Sequence, residues 1–164
     1  MTELDEALDA IFNRRDRANM RPTIDALEAV LRNHPDEPRV VYEVGGAYDT
    51  HGQEERAIGY YERALALGLD GELRRRCLLQ YGSTLRNLGR LEESLAVFDR
   101  AIAEHPSSVS LPVFRALTRH AQGRPNAAIA DLLEAIADQL DSPEIARYEA
   151  AIRGNAEYIR DLGD

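Results

Sequence analysis

Residues 40–64 read VVYEVGGAYDTHGQEERAIGYYERA, and residues 77–101 read CLLQYGSTLRNLGRLEESLAVFDRA. Laid over each other, the two stretches put Val41 on Leu78, Gly45 on Gly82, Tyr48 on Leu85 and Gly52 on Gly89. Further along, Ala57 meets Ser94, Tyr61 meets Phe98 and Ala64 meets Ala101. A weaker third copy keeps Ala116, Gly123, Ala128, Leu132 and Ala135. Gly52, Gly89 and Gly123 stand 37 and 34 residues apart, and the same two intervals separate Ala57, Ser94 and Ala128. The three extra residues fall near Asp70-Gly71-Glu72, where a longer loop between repeating units is tolerated.

Each marker has a packing reason. In the first helix of a unit, Gly45 or Gly82 removes a side chain so that the second helix can come close, and Tyr48 or Leu85 fills the volume one turn later. In the second helix, Ala57 or Ser94 repeats the close approach. Tyr61 or Phe98, with Ala64 or Ala101, then forms the i, i+4, i+7 stripe of an amphipathic helix. A single helical pair cannot bury that stripe alone, so successive pairs must stack. Pro38 and Pro125 suit helix starts, Gly52, Gly89 and Gly123 supply turns, and Pro35 and Pro106 close helices. The spacing predicts helices over 3–18, 22–34, 38–51, 54–67, 72–88, 91–105, 109–121, 125–139 and 143–161. Pro112 fits the seventh only within its first turn.

These residues resemble the tetratricopeptide repeat, a helix-turn-helix unit with a 34-residue period. The resemblance is strong over 38–135. It is weaker over 1–36, where Thr23, Leu27 and Val30 take the second-helix places but Ile11 replaces the close-packing glycine. It implies an all-α, right-handed α-α superhelix of about four hairpins, with units near 1–36, 37–70, 71–107 and 108–140. A capping helix over 142–162 starts at Ser142-Pro143-Glu144 and carries Ile145, Tyr148, Ile152, Ile159 and Leu162. Taken as one domain, 1–164, the chain is expected to bind a protein or peptide on its concave face, as the resemblance implies.

Composition agrees with that class. The chain has 164 residues, 44% hydrophobic and only 6% aromatic, which favours helices over sheets. A formal net charge of −9 disfavours nucleic acid and anionic lipid as partners. All 20 basic residues are arginine, whose planar fork grips carboxylates in two places at once. One cysteine, Cys77, permits no intrachain disulfide and no cysteine-based zinc site. The acidic start Met1-Thr2-Glu3-Leu4-Asp5-Glu6 has neither a basic leader nor an apolar run, so the expected location is cytoplasmic.

The family's inner face is lined by the first helix of each unit. The resemblance therefore implies a partner-binding set of Arg39, Tyr42, Asp49, Arg76, Gln80, Arg86, Asn87, Phe114, Leu117 and His120, with Phe12 and Arg15 extending it. Arginines in the middle and apolar residues toward one end suit a ligand with an acidic group and a hydrophobic anchor. The clamp by which chaperone-adaptor members hold a terminal carboxylate is not built here. Its places hold Tyr42, Gly46, Gln80, Ser110 and Phe114, or one unit earlier Leu8, Phe12, Glu43, Arg76 and Gln80.

Nothing in the residues argues for an enzyme, a cofactor or a metal. His34, His51, His105 and His120 never stand at i, i+3 or i+4, and no phosphate-cradling loop or nucleophile elbow occurs. His34 and His105 are expected as helix caps, and the pairs Glu54-Glu55 and Glu92-Glu93 as first-turn acids matching helix dipoles. Cys77 leads into the apolar stripe and is expected to be buried. An alternative to peptide binding is a homodimer, formed through an incompletely covered stripe at either end of the array.

Overall fold

The computed structural model describes residues 2–164. Among them run nine α-helices: α1 (Glu3–Arg14), α2 (Arg21–Asn33), α3 (Pro38–Thr50), α4 (Glu54–Ala66), α5 (Gly71–Asn87), α6 (Leu91–Glu104), α7 (Ser110–Ala121), α8 (Pro125–Gln139) and α9 (Pro143–Asp161). The chain divides into two compact units, a first ending at Thr84 and a second running Leu85–Asp164.

Turn chemistry sets the helix ends. Gly52, Gly89 and Gly123 take φ of 81°, 75° and 75°, the left-handed region that glycine enters freely. After each, a backbone N–H reaches back over the turn: Gln53 to Tyr48, Arg90 to Leu85 and Arg124 to Arg119, at 2.9, 2.9 and 3.0 Å. The three ends share one closing geometry, which satisfies carbonyls the helix leaves free. His34 and His105 are C-caps, their backbone N–H groups donating to the Val30 and Ala101 carbonyls. Pro112 sits in the first turn of α7.

One helix ends early. The sequence predicts α1 to Ala18, but it stops at Arg14. The Asp16 carboxylate accepts the Ala18 N–H at 2.9 Å, and the Asp16 carbonyl accepts the Asn19 N–H at 3.0 Å. A short acidic side chain bonded to its own backbone competes with the helix and turns the chain.

In the first unit α3 packs on α4, and the core gathers Leu8, Ile24, Val40, Val41, Val44, Tyr48, Tyr61 and Cys77. A Cβ added to Gly45 would meet Tyr60 Cβ and Tyr61 Cε1 at 3.0 Å, so these helices touch where the missing side chain allows it. The Tyr48 ring stacks on Tyr60 at 5.5 Å, and its hydroxyl donates to Glu28. α1 lies against α2 more loosely than α3 against α4. Ile11 stands on α1 at the place that Gly45 and Gly82 take on α3 and α5.

In the second unit Phe98, Ala101 and Leu111 are wholly buried. Ser94, at the alanine place of the repeat, shares a buried hydrogen bond of 2.9 Å with Thr118. Asp131 of α8 is buried and accepts from the Nε atoms of Arg115 and Arg119 at 2.9 and 2.7 Å. α9 returns along α8, tied by Arg160 to Glu134 at 2.7 Å and Arg153 to Asp138 at 2.8 Å. Ala156 is its buried residue, and Ile145, Ile152 and Ile159 are half-buried beside it. Tyr148 and Leu162, grouped with those isoleucines in the sequence reading, are instead exposed. Positions 145, 149, 152, 156 and 159 follow the helical pitch, and Tyr148 and Leu162 fall off that line.

Candidate functional site

The first unit contains a cleft of about 130 Å³. Its apolar wall is Leu8, Ile11 and Phe12 of α1, Met20 from the turn, and Leu27 of α2. Tyr42, Glu43, Gly46 and Thr50 of α3 face it, with Arg76 and Gln80 of α5. At Gly46, which also lines the cleft, a Cβ would meet nothing within 4 Å.

Three guanidiniums, Arg15, Arg17 and Arg76, surround the cleft against one carboxylate, Glu43. None of the three has an acidic partner within ion-pair distance among the described residues. Arg15 lies over the Phe12 ring at 3.5 Å and donates to the Phe12 carbonyl at 2.9 Å. Burial raises the Glu43 carboxyl above its ordinary value, opposed by Arg39 and Arg76. Burial likewise pushes the Tyr42 hydroxyl up to about 12. The Gln80 Oε1 is buried without a hydrogen-bond partner.

The Tetratrico peptide repeat family model matches residues 38–159, most of the chain. The chain belongs to the tetratricopeptide repeat family. A search of curated proteins finds no match to it. Among solved structures it is similar to MamA from Desulfovibrio magneticus RS-1, residues 41 to the end, at 14% identity and a TM-score of 0.68, covering 99% of this chain and 94% of that one. A MamA RS-1 double mutant gives 15% and 0.69, covering 98% and 93%. A chain in the structure of Naa15/Naa10 bound to HypK-THB gives 16% and 0.69, covering 98% of this chain and 23% of that one. At these identities the likeness is one of fold: an all-α tetratricopeptide scaffold, an architecture suited to protein interaction.

Within this tetratricopeptide chain the residues singled out from sequence have different fates. Tyr42, Arg76 and Gln80 do meet at the cleft, together with Phe12 and Arg15. Tyr42 contributes a wall more than a free contact, being 3% exposed and tilted against Tyr61 at 6.3 Å. Arg39 is not free either: it pairs with Asp5 at 2.6 Å and Asp9 at 2.5 Å, both on α1. Asp49 turns inward and accepts from the Tyr61 hydroxyl at 2.9 Å and the Thr84 hydroxyl at 3.0 Å.

The remaining five belong to the second unit. Arg86 buries its Nη1 without a partner, and that burial lowers its pKa. Asn87 is exposed, Phe114 is half-buried, and Leu117 and His120 are exposed on α7. Sequence reasoning missed Arg17, because that segment reads as more helix. The signal was there in Asp16 and Asn19, two residues prone to turns.

Proposed function

We propose that the first unit's cleft binds a peptide segment of a partner protein. Arg15, Arg17 and Arg76 hold an acidic group, and an apolar side chain rests against Ile11 and Phe12. The reading rests on three guanidiniums that have no acidic partner among the described residues, gathered at one partly apolar cleft in a chain of net charge −9. Elsewhere in the molecule arginines such as Arg39, Arg115, Arg119 and Arg160 already hold carboxylates. Arginine forks left free beside an apolar wall suit a carboxylate ligand with a hydrophobic neighbour. The buried Gln80 oxygen offers an acceptor for a peptide N–H. Arg39 and Asp49 shape the wall through their internal partners.

The test uses two labelled peptides in which leucine and phenylalanine alternate with aspartate in one and with lysine in the other. Wild type is expected to bind the acidic peptide about tenfold or more tightly than the basic one, the sum of three partly exposed charge contacts. The triple variant Arg15→Glu, Arg17→Glu, Arg76→Glu should reverse that preference. Gly46→Leu should block both peptides while leaving the circular dichroism unchanged. Equal binding of the two peptides by wild type, or undiminished binding in these variants, sinks the proposal.

A further inference from the structure

The repeat places Tyr61 and Leu69 of the first unit in register with Leu132 and Leu140 of the second. Tyr61 and Leu69 are buried, and the Tyr61 carbonyl receives the Cys77 thiol from α5 at 3.9 Å. On α8 the same stripe is open. Ile129 is 45% exposed, Leu132 37%, Ile136 36% and Leu140 50%. α9 packs instead along the acidic edge of α8, where its arginines hold Asp131, Glu134 and Asp138. All three α8 carboxylates are thereby taken up on that edge. The opposite face, Ile129, Leu132, Leu133, Ile136 and Leu140, carries no charge in a chain that is 30% charged, and Asn126 at its start is bonded to Gly163 and Asp164.

We infer that this face is the seat of a second copy of the chain, paired antiparallel through α8. The order of residues is close to self-complementary: about a two-fold axis at position 134, Leu132 of one copy lies opposite Ile136 of the other, and Ile129 falls within one residue of Leu140. A symmetric interface of this kind uses each contact twice. The ends are complementary too, since the pairing brings Arg124 beside Asp141 and Glu144 of the other copy. Arg124 is half exposed and reaches its own Asp164 only at 3.7 Å, and both Asp141 and Glu144 are exposed. Antiparallel helix dipoles add to the match. A single helix pair covers less than the roughly 800 Å² per partner of a standard interface, so the dissociation constant is expected at about 10–100 µM.

Sedimentation equilibrium of the full chain, from about 1 µM to about 500 µM, reads this directly. The mass should climb from 18.3 kDa toward twice that value. Leu132→Glu with Ile136→Glu should stay monomeric with unchanged helicity. Asp141→Arg with Glu144→Arg should weaken pairing about tenfold, and adding Arg124→Glu should restore it, a rescue that a purely structural role would not produce. Three results overturn the inference: wild type monomeric throughout, which leaves the stripe to a helix of another protein; a dimer that survives the double glutamate variant; or a charge swap without rescue.

Discussion

Gly45 and Gly46 are adjacent, yet one side chain more would do opposite things at the two places. At Gly45 a methyl group would press on Tyr60 and Tyr61, so Gly45→Ala is expected to cost about 1–3 kcal/mol, read as a lower urea midpoint. At Gly46 the space is open, and Gly46→Ala should raise the midpoint by up to about 1 kcal/mol through helix propensity. A wild-type midpoint for Gly45→Ala would contradict the close approach of α3 and α4. Cys77 is buried, and that burial pushes its thiol up to about 12. Native protein at pH 8 should therefore resist iodoacetamide until it is unfolded, and rapid labelling would refute the packing. Glu43 responds to pH. Its carboxyl is raised in the folded state, so its contribution to stability is present below the ordinary carboxylate range and lost as pH rises through the raised value. In the cleft, protonation leaves Arg15, Arg17 and Arg76 unopposed. Affinity for the acidic peptide should accordingly strengthen as pH falls from neutral through the raised Glu43 value, and Glu43→Gln should flatten that dependence. An equal slope in wild type and variant would remove Glu43 from the site.

At the scale of elements, α8 shows how one side chain organises its neighbours. Asp131 is buried and holds Arg115 and Arg119 from α7 within 3 Å, with Arg160 of α9 at 3.6 Å. Asp131→Ala would leave those guanidiniums without their shared acceptor, and a loss of about 3–5 kcal/mol is expected in chemical denaturation. A change below about 1 kcal/mol would mean the cluster is solvated enough to dispense with it. Helix boundaries were legible from local chemistry alone, because proline starts, glycine turns and the apolar pitch act over a few residues. α1 departs from that reading where the Asp16 turn outcompetes helix propensity. The stripe of α9 departs because Tyr148 and Leu162 are apolar without lying on the packing side.

For the whole molecule, the net charge of −9 and the cleft's excess of arginine act over different distances on an acidic ligand. At low ionic strength the chain repels such a ligand from afar. At physiological salt, where screening extends about 8 Å, the short contacts in the cleft survive and the distant repulsion does not. The association rate of the acidic peptide is expected to rise between about 10 mM and 150 mM salt in stopped-flow measurements, and a steady fall over that range would indicate a dominant positive field instead. The inner-face residues were only partly legible from the sequence. Helical phase told which way Arg39, Tyr42 and Asp49 point, but the carboxylates and rings that occupy them come from elsewhere in the chain: Asp5 and Asp9 on α1 for Arg39, Tyr61 and Thr84 for Asp49. By itself the sequence determined the helices, their turns and the repeat, since each depends on contacts between near neighbours along the chain. Tertiary structure alone decided which arginines lack an acidic partner, where the cleft lies and why the α8 stripe is left bare, because each depends on groups brought together from distant positions.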